Sequence, residues 1–387
     1  MKRQGKSLAS FAEFVRRSPH VQRHARSLRL RTSPLDVRDE LDQPVDAATV
    51  LGLLGILPRV TVLHLEDITL ARTTPSTPLP PAPPLEHLTL SSCQGLKRAS
   101  ASCILQTLQH FHHISRLRLT HLYEECPWLA RSAPVLAQLQ LSVHTFELER
   151  TKFIGDTVLS FLAASAAGPA TVRATLPTDV TTAPRLRRFV KALGPRLAHL
   201  EYSLRIRDVP CPTTLLLAGI DPTPADHVVG AALDLGAASG LRTLRLALSL
   251  ARAKLIPDLV RTATPTLASC RALRGAPFAL VLVAPLGEVL EELAFLEEDA
   301  REAFKRLEDV LVDLVGRERV ERVVFELEVW PAVDDGEVGD KVGRAEELVR
   351  AIFPRLDASD GLRVVQNART EAPRVNVFWG GRYDVPW

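Results

Sequence analysis

The chain is poor in cysteine, and the few cysteines that it has follow no recognised pattern. Five occur in 387 residues, at Cys93, Cys103, Cys126, Cys211 and Cys270. None of them forms a Cys-x-x-Cys pair, and an odd, scattered set disfavours both a disulfide framework and a zinc site. It is typical of reduced, mostly buried thiols, so we expect an intracellular protein, cytoplasmic or nuclear.

Long apolar runs are missing too. The longest ones, such as Leu215–Ile220 and Phe278–Val283, are much shorter than the roughly 20 residues that a membrane-spanning helix needs. No apolar segment follows the basic start, as it would in a secretory signal peptide. The sequence therefore predicts no membrane contact.

Charge is nearly balanced in total but not along the chain. The net charge of +3 is too small to indicate a nucleic-acid binder, and we do not expect one. Residues 1–31 nonetheless contain nine Lys or Arg and a single acid, Glu13, whereas Glu288–Glu302 contains seven acids and a single base, Arg301. Two interpretations of the basic start stay open: it contacts an acidic partner or RNA, or it is a solvated end.

Recognised catalytic and cofactor motifs are absent. The sequence has no G-x-S-x-G, no phosphate-binding G-x-x-x-x-G-K-[ST], no G-x-G-x-x-G and no H-E-x-x-H. We therefore predict a protein that is not an enzyme and that has no cofactor and no metal.

Two clusters nevertheless keep a catalytic alternative open. The histidines His110, His112 and His113 are candidate metal ligands, although no acid or cysteine stands at ligand spacing, and a structural role beside a helix end is the other interpretation. The acid-rich helix Glu288–Asp299 offers paired carboxylates. Its acids also lie opposite an apolar stripe, as solvated charges do.

What the chain has in abundance is the six-residue phrase L-x-x-L-x-L. It occurs at Val60–Leu65, Leu85–Leu90, Ile114–Leu119, Leu136–Leu141 and Leu241–Leu246, and in looser form at Leu197–Tyr202 and Val320–Phe325. Successive phrases are 22 to 29 residues apart over the first four, which is the period of leucine-rich repeats. The sequence therefore indicates repeats of that class.

The phrase also predicts the architecture. Its last two leucines alternate with polar residues, so a strand buries the leucines and exposes the residues between them. We predict an α/β fold, a leucine-rich-repeat solenoid (horseshoe) with parallel strands on the concave face and helices on the convex face. Further predicted elements are a helix at Ala47–Leu57 capped by Asp46, a strand at Leu267–Ala272, a long helix at Glu288–Val315 and a turn at Asp334–Asp340.

The predicted organisation has four parts: an N-terminal helix and first strand as a cap, the main repeats, longer degenerate repeats, and a tail. They cover 1–31, 32–275, 276–365 and 366–387. The main repeats contain a proline-rich insertion at 73–84, either an extended replacement for one convex helix or a polyproline ligand for an aromatic groove.

The predicted concave face is mixed in charge, rich in Arg and His at several positions, and poor in aromatics. Its candidate partner-binding residues are Arg29, Arg31, His64, Glu66, His87, Thr89, Arg116, Arg118, Gln138, Gln140, His199, Glu201, Thr243 and Arg245. Such a surface suits a polar or acidic protein partner better than an apolar small molecule. The alternative is that these side chains are merely solvated strand faces.

Several local phrases add a family resemblance. They are Leu8–Leu30, the sequence Leu57-Pro58-Arg59 ahead of Leu63-His64-Leu65, and Phe353–Leu356 ahead of Gly361–Val364. Together they resemble the leucine-rich-repeat region of fungal, basidiomycete-like F-box proteins. In that family an N-terminal F-box docks on a ubiquitin-ligase adaptor while the repeats hold a substrate.

The resemblance leaves the function divided between two expectations. No F-box-like segment is visible before the first repeat, so we expect a non-catalytic protein-interaction scaffold. The alternative that the resemblance implies is the substrate receptor of an SCF-type ubiquitin ligase whose F-box is lost or missing from this chain.

Overall fold

The structure is a computed structural model, and it has the α/β architecture that the repeats predict. It describes residues 8–31, 45–71, 82–95, 100–120, 141–149, 159, 162–163, 169–177, 182–205, 233–248, 256–273, 276–329 and 335–368. Within these residues, helices accompany a large sheet of eleven parallel strands.

The strands are numbered in chain order. They are β1 (Ser27–Arg31), β2 (Val62–Glu66), β3 (Thr69–Leu70), β4 (Leu85–Ser91), β5 (Gln94–Gly95), β6 (His113–Thr120), β7 (Ser142–Glu149), β8 (Thr171–Pro177), β9 (His199–Arg205), β10 (Thr243–Leu248), β11 (Ala279–Pro285), β12 (Val323–Val329) and β13 (Leu362–Ala368). Strands β3 and β5 pair with each other in a small second sheet, and the other eleven form the large one. In the large sheet each strand lies beside the strands that precede and follow it along the chain.

The helices of the described residues connect these strands. They are α1 (Leu8–Arg16), α2 (Pro19–His24), α3 (Ala47–Ile56), α4 (Ser100–Leu108), α5 (Thr182–Leu193), α6 (Ile256–Ser269), α7 (Leu286–Glu292), α8 (Glu298–Gly316), α9 (Asp335–Ile352) and α10 (Pro354–Ala358). Short 3-10 turns follow α5, α6 and α7 at Gly194–Arg196, Cys270–Ala272 and Leu293–Phe295.

Local chemistry explains where several helices begin. Asp46 caps α3 as predicted, because its carboxylate accepts a hydrogen bond from the Thr49 amide at 2.8 Å. Pro19 occupies the first position of α2, where its missing N–H removes no helical bond. At α10 the buried side chain of Glu308 accepts hydrogen bonds from the amides of Arg355 (2.7 Å) and Leu356 (3.2 Å). A carboxylate from α8 therefore fixes where α10 starts.

Alternation within each strand separates the two faces of the sheet. In β1 the leucines Leu28 and Leu30 are buried while the residues between them are exposed. The same positions in β2, β4 and β6 are filled by Leu63, Leu88 and Leu117, each with no exposed surface. The leucines of the repeated phrase therefore form one continuous core on one side of the sheet.

The strand that follows β6 differs from the predicted one. The predicted strand Leu136–Leu141 lies outside the described residues except for Leu141, which precedes β7. In β7 Phe146 lies opposite Leu117, so the spacing Val143-x-x-Phe146-x-Leu148 takes the place of the leucine phrase. All three residues are buried.

The predicted strand at Leu267–Ala272 is wrong. These residues form the end of α6 and the 3-10 turn after it, and the next strand is β11. Val260, Ala263, Leu267 and Cys270 are all buried and recur every three or four residues, so their apolar pattern fits a helix at least as well as the six-residue phrase.

Two more predictions in the C-terminal third need correction. The single helix expected at Glu288–Val315 is two helices, α7 and α8, separated by a 3-10 turn and by Glu297 in an extended conformation. The break allows Leu293 and Leu296 to be buried as well as the apolar stripe of α8. The turn expected at Asp334–Asp340 is instead the beginning of α9.

The predicted proline-rich insertion, 73–84, falls mostly outside the described residues. Residues 82–84 belong to no helix or strand and lead directly into β4. Of the predicted tail, residues 366–368 belong to β13, and 369–387 lie outside the described residues.

Candidate functional site

The face of the sheet opposite the leucine core carries polar side chains in register, and we call it the polar face. Its central row runs through Arg29, His64, Thr89 and Arg118, which are directly paired from β1 to β6. A second row places His87 beside Arg116, and a third places Arg31 beside Glu66. The structure thus brings together the eight predicted residues of these four strands.

Predicted residues of β9 and β10 form a second group on the same face. His199 is paired with Thr243, and Glu201 with Arg245. The His199 ring nitrogen Nδ1 lies 3.1 Å from the Thr243 hydroxyl. Strands β7 and β8 separate this group from the first. The predicted residues Gln138 and Gln140 lie outside the described residues.

Arginines of the first four strands are held by acids on neighbouring strands or turns. Arg29 Nε donates to Glu66 Oε2 at 2.9 Å, and Arg31 Nε donates to Asp67 Oδ2 at 3.0 Å. These pairs are half-exposed, so each stabilises the fold only slightly. Their effect is to orient the guanidinium groups and leave part of each accessible.

Glu147 of β7 holds the other two arginines of this group. Its carboxylate lies 3.4 Å from Arg116 Nε and 3.9 Å from Arg118 Nε. Sequence reasoning missed Glu147 because it expected the strand of this repeat at Leu136–Leu141, ahead of Glu147. The alternation Phe146-Glu147-Leu148 was the available signal, since it places an acid between two buried apolar residues.

His64 sits among these charges and is half-buried. Burial lowers the pKa of its imidazole, the nearby Arg29, His87 and Arg118 lower it further, and Glu66 opposes them. A lowered pKa favours the neutral ring near neutral pH, with one nitrogen as donor and the other as acceptor. His64 therefore offers hydrogen bonds rather than charge.

The second group is centred on Arg245, which contacts three acids. Its Nη1 lies 2.6 Å from Glu326 Oε2, its Nη2 lies 3.7 Å from Glu328 Oε1, and its Nε lies 3.9 Å from Glu201 Oε1. Asn367 of β13 donates to Glu326 Oε2 at 2.9 Å. One guanidinium and one amide therefore link side chains from β9, β10, β12 and β13.

The Arg245–Glu326 ion pair crosses a complete strand. Arg245 lies in β10 and Glu326 in β12, with β11 between them. Val283 of β11 is paired with Glu326, lies on the polar face and is only 1% exposed. Val281 of β11 is paired with Arg245, so valines of β11 lie beside both partners of the ion pair.

Sequence reasoning also missed Glu326 and Glu328. Both alternate with the buried residues Phe325 and Leu327 along β12, so the period of two was visible in the sequence. The predicted phrase at Val320–Phe325 ended one residue before the first of them. The strand expected at Val320–Val329 contained both acids, but no residue of this repeat was assigned to the concave face.

The two clusters considered for catalysis do not form a compact site in the described residues. His110 follows α4 in a turn, where burial lowers its pKa, while His112 and His113 are exposed. Glu297, Glu298 and Asp299 are exposed as well. Across the described ranges, no three His, Cys, Asp or Glu side chains converge in a way that could hold a metal ion.

The polar face is therefore the surface whose chemistry is best defined. It offers guanidinium groups, carboxylates and a neutral imidazole at fixed spacing on parallel strands. No helix among the described residues is long and apolar enough to cross a membrane. The chain matches no protein-family model and no curated protein.

Proposed function

We propose that this chain is a leucine-rich-repeat solenoid that binds another protein on its polar face. The observation that carries the proposal is the sheet itself: eleven parallel strands in chain order, with leucines packed on one side and in-register polar residues on the other. Strand-to-strand spacing of about 4.8 Å makes such a face long. A long, polar, regularly spaced surface suits an extended protein contact.

A thiol just after β4 supports the repeat assignment. Leu85, Leu88, Leu90 and Cys93 follow the longer pattern L-x-x-L-x-L-x-x-[N/C] of leucine-rich repeats. The buried Cys93 thiol donates to the carbonyl oxygen of Leu65, in the preceding repeat, at 3.3 Å. The consensus residue at this position, Asn or Cys, has a side chain that can donate such a hydrogen bond to the neighbouring repeat.

The charges of the polar face indicate how a partner would be selected. Most of its arginines already have an acid beside them, so a partner has to supply carboxylates that compete with Glu66, Glu147 or Glu326 for the same guanidinium groups. Partly exposed ion pairs contribute little to affinity but discriminate strongly against like charge. We therefore infer a protein partner with acidic groups facing β1 to β6.

The test begins with capture of partners by the tagged chain from its native cells, followed by binding measurements on purified components. The double variant Arg116→Glu/Arg118→Glu places two acids beside Glu147 and should weaken binding at least about tenfold. A matched control, Arg261→Glu/Arg306→Glu, changes two exposed arginines on helices α6 and α8 and should leave binding unchanged.

Two outcomes of this experiment decide between interpretations. Equal binding by both double variants would contradict the proposed surface. Repeated recovery of cullin-type subunits together with the partner would identify the binder as a ubiquitin-ligase substrate receptor, and their repeated absence would argue against that role.

A further inference from the structure

Two large hydrophobic side chains are strongly exposed in the described part of the chain. Phe14 of α1 is 56% exposed, and Phe295 in the turn after α7 is 79% exposed. Removing an aromatic ring of this size from water is favourable. Each ring therefore marks a surface that would gain by being covered.

The surface around Phe14 is basic. Residues 8–26 contain four arginines, Arg16, Arg17, Arg23 and Arg26, and a single acid, Glu13. Glu13 pairs with Arg16 and Arg17, which remain largely exposed. Arg23 and Arg26 are exposed as well and form no ion pair with another described residue. The N-terminal helices thus combine an exposed aromatic ring with a surplus of positive charge.

The surface around Phe295 is acidic. Residues 286–302 contain seven acids and one base, Arg301, whose Nε donates to the Leu296 carbonyl oxygen. Four exposed acids close to Phe295 form no ion pair with another described residue: Glu291, Glu297, Glu298 and Asp299. Leu290, Val338 and Val342, which are only partly buried, extend the apolar area across α7 and α9.

The two surfaces match in chemistry but cannot meet within one molecule. Phe14 precedes β1, at one edge of the sheet, whereas Phe295 follows β11, and seven strands separate β1 from β11. We propose that copies of this chain associate head to tail, with the basic surface around Phe14 of one copy covering the acidic surface around Phe295 of the next. Like charges that repel within one copy are then neutralised by the neighbouring copy.

This association is heterologous, because each copy uses two different surfaces. Such contacts form open chains or closed rings rather than a symmetric dimer. They should also weaken as salt screens the charges, since the Debye length falls from about 10 Å at 0.1 M to about 3 Å at 1 M salt. The proposal is independent of partner binding on the polar face.

Sedimentation velocity of the purified full-length chain tests the proposal over a concentration series up to about 100 μM. We expect association that grows with concentration and that is reduced in about 0.5 M salt. The variants Phe14→Ser and Phe295→Ser should each raise the dissociation constant at least about tenfold. Lys305→Ser, an exposed change on α8, serves as the control.

Mixing the two phenylalanine variants separates a head-to-tail contact from a symmetric one. Phe14→Ser keeps the acidic surface and Phe295→Ser keeps the basic one, so an equimolar mixture should form heterodimers that grow no further. A monomer at every concentration in low salt would overturn the proposal, and so would association that neither variant reduces. Partner binding by both variants should match that of the unchanged chain, so failure here leaves the proposed function untouched.

Discussion

At the scale of single residues, burial rather than reactivity governs the thiols and the phenol that the structure describes. Burial raises the pKa of the Cys93 thiol and of the Cys270 thiol to about 12, so neither residue supplies a reactive thiolate. Burial likewise raises the pKa of Tyr202 to about 12. Cys93 spans two repeats through its hydrogen bond, and Cys270 fills the end of α6. Both are structural residues.

These raised pKa values predict a loss of stability in alkali. Between pH 9 and 12 the unfolded chain releases the proton of each thiol, whereas the folded chain keeps it, so the free energy of unfolding falls as pH rises. The slope should be about 1.4 kcal/mol per pH unit for each thiol. Urea unfolding at about pH 8 and pH 10 measures it.

The double variant Cys93→Ser/Cys270→Ser provides the comparison. It should be less stable at pH 8 but should lose less stability on going to pH 10. An equal loss in both proteins would show that these thiols are not protected from ionisation.

At the scale of elements, the turn before β10 packs closely against the turn before β9. Gly240 lies in the turn before β10, against the 3-10 turn Gly194–Arg196 that precedes β9. A Cβ atom at Gly240 would lie 2.0 Å from the carbonyl oxygen of Pro195. The contact is with backbone, which cannot swing aside, so neighbouring repeats fit together here only because residue 240 has no side chain.

Gly240→Ala should therefore destabilise the protein by about 2–3 kcal/mol through overpacking. The control is Gly287→Ala, near the start of α7, where no atom lies within 4 Å of the added Cβ. That change should be neutral or should stabilise by up to about 1 kcal/mol. Urea midpoints of the two variants measure the difference, and equal effects would contradict the close approach at Gly240.

Elements could be predicted from the sequence wherever leucine fills the repeated positions. The strands around Leu63, Leu88 and Leu117 are confirmed, because leucine at every second position is the pattern of a strand with one buried face. The phrase at Leu267–Ala272 failed because α6 places apolar residues at overlapping spacing, and hydrophobicity alone does not distinguish the two. Phe146 was overlooked because a phenylalanine takes a position at which the repeated phrase expects leucine.

The polar face was predictable in part for the same reason. Register follows from the leucines, so His64 beside Thr89 was already implied by the sequence. The contact between Arg245 and Glu326 was not, because it crosses β11. Contacts between strands that are not neighbours need the structure.

At the scale of the whole molecule, contacts between strands are made mainly between neighbours in sequence. Among the described residues the large sheet contains its strands in chain order, so no described strand of one end packs beside a strand of the other. The core is continuous along the sheet, but each part of it is supplied by adjacent repeats. In the solenoid that we propose, stability is the sum of repeat and interface terms, and the ends can open without the middle.

Substitutions at opposite ends should therefore act locally. Leu28→Ala in β1 and Leu362→Ala in β13 each truncate a buried leucine and should cost about 2–5 kcal/mol in their own repeat. Hydrogen exchange should accelerate in β1 and β2 for the first variant and in β12 and β13 for the second. Equal acceleration at both ends in either variant would show that the array unfolds as one unit.

The chain-order sheet also has a consequence for how the polypeptide is made. Each strand that leaves the ribosome finds its only earlier partner already synthesised, and it never waits for a distant segment to arrive. Few long loops have to close, which favours rapid folding for a parallel sheet of this size. Assembly can then proceed from the amino end as synthesis advances. At every stage the growing sheet has two open edges, β1 and the newest strand, and both have to be protected from aggregation.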